Sequence, residues 1–172
     1  MNRTIRNLTI IASVALVARR FFGITGVIGS SMFPELHDGD RLILDRTAYH
    51  GRKPKRGEVI VFKKPGETSK LLVKRVIGIP GDHVEIGEGK VKVNENVLED
   101  DYTMSGTTPG EVDTVVPEGK YFVLGDNREN SSDSRSESVG LVPEELIEGK
   151  VAFRAYPPGR VFTRSGETDG EA

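Results

Sequence analysis

Lys74 has the most unusual chemical setting in this chain. It sits beside Arg75 in the otherwise apolar run LLVKRVIGI, Leu71–Ile79. In an extended strand Lys74 shares a face with Leu72 and Val76, and Arg75 shares the other with Val73 and Ile77. One of the two must therefore face apolar neighbours or occupy a polar niche. Burial can deprotonate a lysine but effectively not an arginine. A free lysine, with a pKa of about 10.4, is neutral only about once in 2,500 at pH 7. Desolvation can lower that pKa by roughly 3–5 pH units and so make the amine a general base. For this segment alone, a lysine snorkelling at a sheet edge is the plainer reading.

Two other segments carry usable groups. The first is GSSMFPEL, Gly29–Leu36. A serine such as Ser31 is a weak nucleophile until a base accepts its proton. A glycine two positions earlier, Gly29, lets backbone approach a substrate. The other is GDNRENSSDSR, Gly125–Arg135, which places acids and arginines within pairing distance and adds hydroxyls able to orient an amine. Read separately, these are a turn and a solvent loop.

The elements between them read as short strands. Val- and Ile-rich runs separated by Gly, Pro and Asp fall at Arg41–Asp45, Glu58–Phe62, Leu71–Ile79, His83–Ile86, Lys90–Val93, Tyr121–Leu124 and Lys150–Arg154. The stretch GKVKVNENVLED predicts a hairpin turning at Asn94–Asn96. PEELI, Pro143–Ile147, predicts one or two helical turns. Short turns between strands favour a mainly β fold, with antiparallel sheets in a barrel-like domain, over a βαβ layout. Asp100–Asp113 has low hydrophobicity and reads as a mobile surface loop that could also help shape a cleft.

Three parts follow: an N-terminal apolar helix over 1–22, a β-rich domain over 23–164, and a polar, disordered tail over 165–172. Leu8–Ala18 is apolar apart from Thr9 and Ser13, with Arg3 and Arg6 before it and Arg19 and Arg20 after it. As a helix that core spans about 16 Å, short of a bilayer's roughly 30 Å. From Ile5 through Phe22 it reaches about 27 Å with arginines snorkelling at both ends. A short membrane anchor, a secretory signal peptide and a core helix all fit this run. Arginines at both ends leave orientation open.

Composition removes other chemistries. With no Cys, the chain has no thiol catalysis, thiolate metal site or disulfide. A net charge of −2 argues against nucleic acid as a partner. The basic stretch Arg52, Lys53, Lys55 and Arg56 reads as a solvated loop. His37, His50 and His83 are scattered and adjoin turns, and no acidic cluster has metal-ligand spacing.

Together the three segments resemble the type I signal peptidase family, in the same order and at similar separations. The nucleophile motif Ser-Met-x-Pro-x-Leu is matched by Ser31, Met32, Pro34 and Leu36. The motif Lys-Arg-x-x-Gly-x-Pro-Gly-Asp is matched by Lys74, Arg75, Gly78, Pro80, Gly81 and Asp82. The third, Gly-Asp-Asn-x-x-x-Ser-x-Asp-Ser-Arg, is matched by Gly125, Asp126, Asn127, Ser131, Asp133, Ser134 and Arg135. The resemblance spans roughly 29–158.

It implies a serine endopeptidase without metal or cofactor, using Ser31 as nucleophile and Lys74 as general base. Ser131 would orient the amine, and the Ser31 N–H would serve the oxyanion hole. Gly29 stands where some members carry a serine as second oxyanion donor, which leaves that donor open. Arg75, Asp126, Asp133 and Arg135 would be structural. The partners implied are preprotein signal peptides with small residues at −1 and −3, and membrane lipid. Val27, Met32, Leu36, Leu72 and Val73 would wall the substrate pockets, or else belong to the core. The expected location is the cell membrane, single-pass, with the protease domain on the extracytoplasmic side. Two departures stand out: Glu35 where Thr is common, and a longer link over Arg135–Gly140.

Three rival readings compete. A Ser-His-Asp protease needs a histidine near Ser31, and His37 lies in the turn-like HDGD. Self-cleaving repressor proteases usually carry a helix-turn-helix before the protease part, where this chain has an apolar segment. The last is an anchored β-rich binding module with the motifs as loops.

Overall fold

The computed structural model describes residues 19–67, 69–99 and 106–162, together with positions 3, 5, 7, 9 and 103. The described N-terminal positions and residues 19–21 are helical. Most of the anchor segment, and the tail over 165–172, lie outside the described residues. Among the described residues no helix is long and apolar enough to cross a membrane.

Among the described residues eleven strands follow: β1 Phe22–Gly26, β2 Arg41–Asp45, β3 Val59–Lys63, β4 Leu71–Gly78, β5 His83–Gly87, β6 Lys90–Val93, β7 Asn96–Val97, β8 Val112–Val115, β9 Lys120–Leu124, β10 Val142–Pro143 and β11 Ile147–Tyr156. All the pairings are antiparallel. One sheet has seven strands in the order β1-β2-β11-β3-β4-β9-β10, and the other has four in the order β7-β6-β5-β8. The barrel-like expectation is thereby corrected. The seven-stranded sheet runs from edge strand β1 to edge strand β10, and it stays open because these two edges do not pair.

Gly78 sits where the two sheets meet. A Cβ there would lie 2.7 Å from Val84 Cγ2 and 3.0 Å from Val116 Cγ2, so only glycine permits this approach. Ile77, Val84, Ile86, Phe122 and Leu124 form the core between the sheets. In the large sheet the period of two separates the faces. Val59 and Val61 join the cluster of Leu42, Leu44 and Val151, while Ile60 and Phe62 join that of Val76, Tyr121 and Val123.

Several details differ from the sequence expectation. Asp100–Asp113 does not end as a loop: Val112 begins β8, which pairs with β5. Thr108 within it is buried, its N–H on Gly89 O at 2.7 Å. PEELI gives only a 3-10 turn, Glu144–Leu146. The long link after Arg135 folds back, with the Ser136 N–H on Asp133 O at 2.9 Å and Val139 buried in the core. The basic stretch is a largely exposed loop, as expected, in which Arg52 also grips the buried Glu58 at 2.9 Å and Arg56 Nε reaches Asp82 at 2.7 Å.

Candidate active site

β4 carries Lys74 opposite Ile60 and Arg75 opposite Val59, so the two basic residues occupy opposite faces. Both are buried, Lys74 with 3 % of its surface exposed. Arg75 lies in a satisfied niche. Its Nε and Nη2 meet the two Asp126 oxygens at 2.8 and 2.6 Å, and Nη1 donates to Gly57 O at 2.9 Å. A planar guanidinium fits a carboxylate in this two-pronged way. Losing one partner of such a buried pair costs about 3–5 kcal/mol.

Lys74 has fewer polar neighbours. Its Nζ lies 2.7 Å from Ser31 Oγ and donates to Val73 O at 2.9 Å. Burial pushes its pKa down from 10.5 to about 8, opposed by the nearby Asp133 and Asp126 carboxylates. Neutral Lys74 can then accept the Ser31 proton through the same contact.

The turn after β1 presents Ser31. Gly29 adopts φ 86°, a conformation that favours glycine, and its N–H donates to Asp38 Oδ1 at 2.7 Å. The third segment clamps this turn. Asn127 N–H donates to Ser31 O at 3.1 Å, Asn127 Nδ2 to Ser30 O at 3.1 Å, and Asn130 Nδ2 to Ser30 Oγ at 3.0 Å. Among the described residues, no hydrogen bond engages the Ser31 N–H.

Gly125 makes the clamp possible. A Cβ on it would fall 2.2 Å from Ser131 Oγ and 2.4 Å from Ser31 O. Asp133 accepts the Gly125 N–H at 3.0 Å and is held by Arg135 through two contacts of 2.8 Å. Ser131 Oγ is buried against Gly125 and has no hydrogen-bond partner among the described residues. It makes no hydrogen bond to Lys74, whose amine is engaged by Ser31 and Val73.

The expected pocket residues divide. Val27, Met32 and Leu36 share one buried cluster, with Val73 packed against it. Leu72 packs on the other face with Ile60 and Phe62. Two groups were missed by sequence reasoning. Asn130 clamps Ser30, and buried Arg128 donates to Gly125 O at 3.1 Å and to Thr108 Oγ1 at 2.6 Å. Both lie inside the third motif at positions its pattern leaves unspecified. His37 stacks edge-on against Phe33 and makes no hydrogen bond to Ser31.

This fold and site define a β-rich serine hydrolase whose candidate base is a lysine. The family model for signal peptidase, peptidase S26, matches residues 1–156. Signal peptidase I T of Bacillus subtilis is 39% identical over 156 residues, covering 84% of this chain and 79% of that one. The probable signal peptidase I-2 of Synechocystis is 38% identical over 148 residues, covering 83% and 67%. The thylakoidal processing peptidase 1 of Arabidopsis thaliana is 35% identical over 142 residues, covering 77% of this chain and 41% of its own. The crystal structure of a signal peptidase I from Enterococcus faecalis superposes with a TM-score of 0.50 at 32% identity, covering 58% of this chain and 97% of that one. The chain belongs to the signal peptidase family, peptidase S26, and is a serine endopeptidase that removes signal peptides.

Proposed function

We propose that this chain removes signal peptides from secreted preproteins by means of a Ser31–Lys74 dyad. The observation that carries this is the 2.7 Å contact between Ser31 Oγ and the amine of the buried Lys74. Ser31 Oγ attacks the scissile carbonyl as its proton passes to neutral Lys74 Nζ. The Ser31 N–H faces the developing oxyanion. Collapse breaks the C–N bond, and the Lys74 ammonium gives its proton to the leaving amine. Water then attacks the Ser31 ester, with Lys74 again as base, and releases the new carboxylate. Ser131, which has no hydrogen-bond partner among the described residues, orients the amine during turnover. Arg75–Asp126 and Asp133–Arg135 hold the frame.

The cut falls after small residues at −1 and −3, received at the half-buried Val73, with the buried cluster of Val27, Met32 and Leu36 packed against it. Leu72 packs on the opposite face of β4 with Ile60 and Phe62 and lies outside this region. Residues 23–164 form the protease domain and 1–22 a membrane anchor, single-pass, with the domain on the extracytoplasmic side. An apolar stripe supports contact with lipid. Ile24, Ile43 and Phe153 lie in register across β1, β2 and β11. Ile24 is 75 % exposed and Ile28, just beyond β1, 94 %. The opposite face of these strands holds core residues Leu42, Leu44 and Val151.

The purified protein in detergent is expected to cut a preprotein after an Ala-x-Ala site, read by mass spectrometry of the products. Preproteins left intact by the wild-type chain would favour an anchored binding module instead.

A further inference from the structure

After β11 the chain folds back on itself. Arg154 and Gly159 exchange two backbone hydrogen bonds of 3.0 Å, and the chain then runs to Phe162 beside the Ser31 turn. Phe162 N–H donates to Glu35 Oε1 at 3.0 Å. Phe162 O accepts from Arg75 Nη1 at 2.7 Å. Val161 packs against the cluster of Val27, Met32 and Leu36. One residue's backbone is thus tied to the nucleophile turn and to the arginine next to Lys74. That arginine in turn grips Asp126. The carboxylate involved, Glu35, stands where the family motif commonly has Thr.

We infer that Glu35 and the backbone of Phe162 form a clip, a positioning element that holds the Ser31 turn and the Arg75–Asp126 pair in register with Lys74. This rests on the dyad reading and extends it to a segment outside all three motifs. The charged groups facing Lys74 are Asp126, paired with Arg75, and Asp133, paired with Arg135. Both carboxylates favour the lysine ammonium, and their arginines offset that effect. Without Phe162 O, Arg75 loses one of its fixed acceptors and holds Asp126 less firmly. The amine then needs a higher pH to become neutral, and Ser31 loses its fixed approach.

The test compares chains ending at Gly159 and at Arg164, with Glu35→Ala and Glu35→Gln in the full-length protein, on a preprotein substrate. The chain ending at Gly159 is expected to lose about 10- to 100-fold in kcat, as small misplacements of reacting groups do. Its acid limb should move to higher pH. The chain ending at Arg164 should retain the full-length kcat. Glu35→Ala should lower kcat with little change in KM. Glu35→Gln should restore it, because the amide oxygen can accept the Phe162 N–H. If the Gly159 chain fails to fold in a thermal melt, the Ala-against-Gln comparison decides. Wild-type kcat and an unmoved acid limb in Glu35→Ala would overturn the clip, as would equal losses in the two truncated chains. Retained cleavage by a Ser31→Ala protein would instead sink the dyad, so the two failures are distinguishable.

Discussion

Replacing Ser31 by Ala is expected to abolish preprotein cleavage, with kcat falling on the order of 10^6-fold, the scale for loss of an activated serine nucleophile. The fold should survive. Asn127 bonds the Ser31 carbonyl, which the substitution keeps, and Lys74 retains its bond to Val73 O. An unchanged thermal melt with no product in a discontinuous assay is the expected pair of results. Cleavage at the wild-type rate would remove Ser31 from the chemistry and leave another nucleophile to be found.

Replacing Lys74 by Met is expected to be about as damaging to the rate, yet not to stability. The wild-type amine is buried, and its pKa falls from 10.5 to about 8. At 1.36 kcal/mol per pH unit, that corresponds to about 3 kcal/mol disfavouring the ammonium in the folded state. Because the folded pKa is depressed below the unfolded one, the cost is fully present below pH 8. It is relieved as pH rises from about 8 towards 10.5. Methionine removes the cost while filling a similar volume. The variant should therefore be inactive and melt at least as high at pH 7 as wild type. Lys74→Arg should also be inactive, because a guanidinium cannot become neutral at these pH values. An active Lys74→Met protein would end the lysine-base mechanism.

Much of this site was legible in the residue order, and the reasons are physical. Lys74 and Arg75 had to occupy opposite faces because strand side chains alternate, and β4 puts them there. Strands such as β2 and β6 came directly from β-branched runs between turn residues, and their bounds match. The Asn94–Asn96 hairpin also formed, with positive φ at Asn94 and Glu95. β1 and β8 were not legible. FGITG and VDTV are short and carry Gly or Asp, and long-range pairing with β2 and β5 makes them strands. Closure into a barrel could not be read locally, because it depends on strand order. The hold on Ser30 by Asn127 and Asn130 was invisible for the same reason. It joins positions about 100 residues apart, and only folding brings them together.

The pH dependence of kcat/KM tests the central claim most directly, because it reports the titration of the free enzyme's essential base. With a pKa of about 8, roughly one Lys74 in ten is neutral at pH 7, some 300-fold more than for an unburied lysine. The rate should therefore climb about tenfold per pH unit below 8 and level off above it, and Lys74 titrated by NMR in the Ser31→Ala protein should show a depressed pKa in the same range. A profile already flat from pH 6 to 9, or a Lys74 amine that titrates near 10.5, would contradict the Ser31–Lys74 dyad.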